Sequence, residues 1–112
     1  MTDRGAKYWS EVLLAISCIE SHVEGISTLN QYVADRMTKR AVEREMAIIG
    51  EAINQLMRLD PSFSLPDAVR IVSMRKRLVH SYDNIDDPIV WGVVRNHLPV
   101  LKAETVRRTG RA

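Results

Sequence analysis

An all-α fold is what this sequence predicts, an antiparallel bundle of four helices with a short extra helical segment, and three observations predict it. Apolar residues recur at spacings of three and four through the long blocks of the chain, the pattern of amphipathic helices. Only five Gly and four Pro occur, and the Pro fall at candidate boundaries, so long regular elements are expected over turn-rich β structure. Hydrophobic residues make up 46% and charged residues 27%, the balance of a chain that buries a core. A length of 112 residues fits one domain, with its core over about residues 7–103 and a basic C-terminal tail over 104–112. It is also short enough that pairing with a second copy would help bury apolar surface.

The first helix is expected from Lys7 to about Ile26, with Trp9, Val12, Leu13, Ile16, Ile19, Val23 and Ile26 on its stripe. His22 reads as an ordinary boundary histidine, because no second ligand type stands at i+3 or i+4. Gly25 weakens the last turn and Ser27 or Thr28 can cap a new start, so a bend is expected there, followed by a short helical segment at Leu29, Tyr32 and Val33. Thr38 is the expected cap of a second long helix over Arg40–Leu59, whose stripe is Val42, Met46, Ile49, Ala52, Ile53, Leu56 and Met57. On its opposite face Glu51 reads as a helix-surface or interface carboxylate, since no second carboxylate is placed to perturb it.

Asp60-Pro61 ends that helix, and Pro66 with Asp67 suits the first turn of a third. The fourth should start with Asp87 as cap and Pro88 in its first turn, and carry Ile89, Val90, Trp91, Val94, Leu98 and Leu101. Pro99 should kink or restart it around 96–98, and it should fray after Glu104. Trp9 and Trp91 lie within apolar stripes and read as core anchors.

A net charge of +2 is too mild by itself to announce a nucleic-acid binder, but the cations are unevenly placed. Arg70, Arg75, Lys76 and Arg77 form one cluster, and Arg107, Arg108 and Arg111 crowd the C-terminus as a solvated charge run. The single cysteine, Cys18, cannot form an internal disulfide and anchors no metal site, so a reducing, cytoplasmic setting is expected. No apolar leader and no membrane-length apolar run is present, so neither secretion nor a membrane is expected.

The chemistry concentrates in Met74-Arg75-Lys76-Arg77-Leu78-Val79-His80-Ser81-Tyr82. A guanidinium, an imidazole and a phenol there suffice to bind a phosphate and move a proton without a metal. Arg75 falls on the apolar stripe of Ala68, Ile71, Val72, Leu78 and Val79, a costly place for a cation. It is explained by a buried stem with its head in solvent, by an intramolecular salt bridge, or by a bound anion. His80 follows five positions later, about 140° round a straight helix. Either the helix loosens at 78–80, or the two groups meet across a two-fold axis between copies of the chain.

Arg75-x4-His80-x-Tyr82 at the end of the third of four helices resembles the signature of the HEPN superfamily, specifically its HepT branch of toxin-antitoxin ribonucleases. Arg40-Ala41-Val42-Glu43-Arg44 with Ile48-Ile49-Gly50-Glu51-Ala52 is similar to that branch's second helix, and the likeness spans most of residues 8–102. The resemblance implies a HEPN-like homodimer acting as a metal-free, cofactor-free endoribonuclease, the toxin of a type II/VII-like pair. Its partner would be an MNT-type nucleotidyltransferase antitoxin, with which a larger complex could form. It implies that Arg75 holds the scissile phosphate, that His80 serves as general acid or base, and that Tyr82 is the residue the antitoxin AMPylates. Lys76 and Arg77 would add RNA contacts. Lys76 departs from the small polar residue the family usually carries after the arginine. The bland reading of Tyr82 is a core-edge tyrosine, and the alternative for the whole chain is a non-catalytic helical module that binds a partner or RNA.

Overall fold

The three-and-four spacing of α1, Asp3–His22, puts Trp9, Val12, Ala15, Ile16 and Ile19 on one buried stripe, with the polar residues between them facing outward. The computed structural model describes residues 3–63, 65, 68–80 and 85–110, without the side chains of residues 3, 68, 79 and 80. Among the described residues there are six helices and no strand: α1, α2 (Leu29–Ala34), α3 (Arg36–Leu59), α4 (Ala68–His80), α5 (Asp87–Asn96) and α6 (Leu98–Thr109). The long α3 packs between α1 and α4, and α6 lies against α1.

The expected bend follows α1, where Gly25 takes a φ of 84°, a left-handed geometry open to glycine at no steric cost. Thr28 then caps α2 in a reciprocal box: its hydroxyl accepts from the Gln31 amide at 3.2 Å, and Gln31 Oε1 accepts from the Thr28 amide at 3.2 Å. The cap of α3 is Asp35, whose carboxylate accepts from the Thr38 amide at 3.0 Å. Thr38 therefore supplies the bonded N–H instead of the expected cap, and the helix begins at Arg36, because a carboxylate three residues earlier satisfies the first-turn amides. The same correction applies to α5. Asp86, one residue before the expected cap, accepts from the Ile89 amide at 3.2 Å, which frees Asp87 to pair with Lys39 of α3 at 2.8 Å. The expected start of α4 at Pro66 and Asp67 lies outside the described residues.

At His97 the last block divides into α5 and α6, with Pro99 in the first turn of α6, as its missing N–H requires. The expected fraying after Glu104 does not occur: α6 runs on through Thr109. Thr105 is fully buried and donates its hydroxyl to the Leu101 carbonyl at 2.8 Å. Glu104 accepts from Arg107 at 2.6 Å and from Arg108 at 2.8 Å, and these bonds hold its carboxyl down at about 2. The Arg108 guanidinium also stands 5.5 Å from the ring centres of both Trp9 and Phe63, which are themselves 5.7 Å apart. Arg108 thus belongs to a packed cluster and not to a solvated run.

Trp9 and Trp91 are core anchors, as their stripes indicate. Trp91 stacks on Tyr32 with 5.2 Å between ring centres, tying α5 to α2. Tyr32 is fully buried, and its hydroxyl has no hydrogen-bond partner among the described residues. Burial first, then the nearby Glu43 and Asp87 carboxylates, pushes that phenol well above its ordinary range. A buried donor without a partner opposes folding, so Tyr32→Phe is expected to leave stability unchanged or raise it by about 1 kcal/mol in urea unfolding. A loss larger than about 1 kcal/mol would show that the hydroxyl is bonded after all.

Among the described residues no helix is long and apolar enough to cross a membrane.

Candidate functional site

The middle of α3 and the middle of α4 meet at Gly50. A Cβ built on Gly50 would stand 2.5 Å from the Arg75 Cβ and 3.2 Å from the Ile71 carbonyl oxygen, so only glycine lets the two helices approach this closely. Glycine in a helix interior costs about 0.5–1 kcal/mol relative to alanine, and here close packing is what it permits. The approach lays the stem of Arg75 against α3, one residue from Glu51.

Arg75 Nη2 donates to Glu51 Oε2 at 3.0 Å, with side-chain exposures of 28% and 41%. Two of the three explanations for a cation on the apolar stripe are met together: the stem is packed on α3 with its head open to solvent, and that head makes an intramolecular salt bridge. Glu51 is in turn fixed from its own helix: Gln55 Nε2 donates to Glu51 Oε1 at 2.9 Å. The two carboxylate oxygens thus serve different partners. The pair remains open to solvent, and the other guanidinium N–H groups are left to meet an anion.

Sequence reasoning read Glu51 as a helix-surface or interface carboxylate and named no partner for it across an interface. Two signals pointed to its role. Glu51 sits eight residues back from Leu59 and Arg75 seven residues on from Ala68, so folding α4 back along α3 brings them level. Gly50, a glycine in a helix interior, marks the close approach beside them.

Lys76 and Arg77 are exposed, with Arg70 and Ser73, on the side of α4 turned away from α3. Arg70, Ser73 and Arg77 line a shallow groove against Ile89, and Arg70 Nη1 lies 3.4 Å from His97 Nε2. The α4 backbone stays helical through His80, its last residue, so the loosening considered for 78–80 is absent. The His80 side chain and the whole of Tyr82 lie outside the described residues. A cleft of about 350 Å³ between Trp9, Leu56, Asp60, Phe63 and Arg108 shares no residue with the Arg75–Glu51 pair. Among the described residues no cluster of His, Cys, Asp or Glu is arranged to hold a metal ion.

The family described as Ribonuclease HepT-like matches residues 12–107. The chain is 32% identical over 101 residues to the protein named Probable ribonuclease HepT from Thermococcus cleftensis, covering 87% of this chain and 88% of that one. It is 29% identical over 98 residues to the protein named Putative RNase TTE0752 from Caldanaerobacter subterraneus subsp. tengcongensis, covering 87% of each. No solved structure matches the chain. With the match running from the core of α1 to the last turns of α6, the protein belongs to the HepT-like ribonuclease family.

Proposed function

We propose that this protein is a metal-independent endoribonuclease, the toxin of a toxin-antitoxin pair, which works as a homodimer and cuts RNA with Arg75 and His80. The observation that carries the reading is the half-buried, solvent-open Arg75 guanidinium held by Glu51 in mid-α4, five positions ahead of His80, in a chain of a ribonuclease family.

RNA brings its own nucleophile, so the protein need only hold the phosphate, move a proton and neutralise developing charge. His80 takes the proton from a 2′-hydroxyl, a transfer to which an imidazole is suited, and that oxygen attacks the adjacent phosphorus. The P–O5′ bond breaks, a protonated imidazole supplies the leaving oxygen with its proton, and a 2′,3′-cyclic phosphate and a 5′-hydroxyl result. Arg75 bonds the non-bridging oxygens throughout with its planar fork. DNA lacks the 2′-hydroxyl and is not a substrate.

A regular helix through His80 separates positions 75 and 80 by about 140°, too far for one phosphate to sit between them on a single α4. A second copy of the motif across a two-fold axis removes that difficulty and doubles the local positive charge. Lys76 and Arg77 then contact RNA outside the scissile phosphate.

Purified protein is expected to cut single-stranded RNA in the presence of EDTA, and His80→Ala to abolish the cutting; equal cleavage by the variant would overturn the site. An MNT-type nucleotidyltransferase partner would silence the toxin by AMPylating Tyr82, because the added phosphate pairs with the site's arginines and excludes substrate. Intact mass after co-expression should show added AMP on Tyr82, and AMP on another residue would rule this route out. Lys76 favours a second reading, a non-catalytic RNA-binding or interaction module. A dimer that binds RNA at physiological salt and never cleaves it would establish that reading instead.

A further inference from the structure

We infer that Glu51 is the positioning residue of Arg75, held in register by Gln55, and that it gives up phosphate affinity to fix the direction of the guanidinium. The inference rests on the ribonuclease reading for its kinetic consequences and on the observed contacts for its geometry. An arginine has several freely rotating bonds along its stem, and a guanidinium that must meet a phosphate in one orientation gains by losing that freedom beforehand. Gly50 brings the Arg75 Cβ against α3, which fixes the base of the stem. Glu51 then fixes its far end through one N–H, Nη2, at 3.0 Å. Gln55, one turn along α3, holds the other carboxylate oxygen at 2.9 Å, so the clamp is itself anchored.

This arrangement differs from an ordinary structural ion pair in two respects. Both side chains are partly exposed, so the pair adds little to stability. A carboxylate beside a phosphate-binding cation also weakens anion binding, a cost that a purely structural contact has no reason to carry. Glu51 should therefore move binding and turnover in opposite directions.

The test compares Glu51→Gln, Glu51→Ala and Gln55→Ala with the parent. Binding is measured with a 2′-O-methylated oligoribonucleotide, which cannot be cut, and turnover with the unmodified strand. Glu51→Ala is expected to bind about 3-fold tighter at low salt, because a repelling charge is gone. Its kcat is expected to fall about 10- to 100-fold, because the guanidinium is no longer aimed. Glu51→Gln, which keeps an acceptor, should recover part of the kcat while retaining the tighter binding, and Gln55→Ala should show a milder loss of kcat. Unchanged kcat and binding in Glu51→Ala would overturn the inference, and so would a rise in kcat with affinity, which would make Glu51 a masking counter-ion. The Arg75 Nε–Hε NMR signal supplies a readout independent of cleavage: it should be sharp in the parent and broadened in Glu51→Ala. An unaltered signal overturns the clamp even if the enzyme is active. Cleavage untouched by Arg75→Ala removes Arg75 from the proposed site while leaving the clamp to be judged by that signal.

Discussion

Arg75→Ala is expected to lower RNA cleavage by about 10³-fold or more, the scale on which a charge-stabilising arginine contributes to phosphoryl transfer. The loss should come without a loss of fold. The contact to a half-exposed Glu51, worth about 0–1 kcal/mol, disappears with the packing of the Arg75 stem on α3, while the Cβ that packs on Gly50 is kept. Arg75→Lys should restore little. A lysine keeps the charge, but its single ammonium cannot bond Glu51 and two phosphate oxygens in one plane, so about 10²-fold of the loss should remain. The measurement is single-turnover cleavage of a labelled strand in EDTA, with the helical CD signal and Tm as the control. An alanine variant within a few-fold of the parent would remove Arg75 from the chemistry.

The position that makes this prediction possible was legible in the sequence, and its counterpart was not. An arginine on the stripe of Ile71, Val72 and Leu78 announces itself, because charge on an apolar face demands an explanation within a single helix. Glu51 is conspicuous only after α3 and α4 are paired, and periodicity along one helix says nothing about which residue of another lies opposite. The same limit explains the caps. Asp35 and Thr38, like Asp86 and Asp87, are all competent N-cap residues, and the choice depends on which one leaves its neighbour free for a tertiary contact such as Asp87 with Lys39. Helix existence, the buried stripes of α1 and α3, and the break at Pro99 depend on local pattern and were readable. The persistence of α6 to Thr109 depends on Trp9 and Phe63, residues far away in the chain that give Arg108 a surface to lie on.

Two glycine-to-alanine changes should move stability in opposite directions and thereby isolate the packing of α3 on α4. Gly92 lies within α5 with nothing within 4 Å of where its Cβ would be. Gly92→Ala should gain helix propensity freely and stabilise by up to about 1 kcal/mol. Gly50 also sits inside a helix and would gain the same propensity, but its Cβ would arrive 2.5 Å from the Arg75 Cβ. Neither partner is the tip of a flexible side chain, so relief requires α4 to move away from α3. Opening a packed interface in this way costs about 1–3 kcal/mol beyond the propensity gain. For a chain of this size that corresponds to a fall in Tm of about 5–10 °C, readable by calorimetry. Displacing α4 also carries Arg75 away from Glu51, so cleavage should fall about 10-fold or more at temperatures where the variant is still folded. Gly50→Ala as stable as Gly92→Ala would mean that the helices pass farther apart than 2.5 Å implies, and the clamp on Arg75 would lose its foundation.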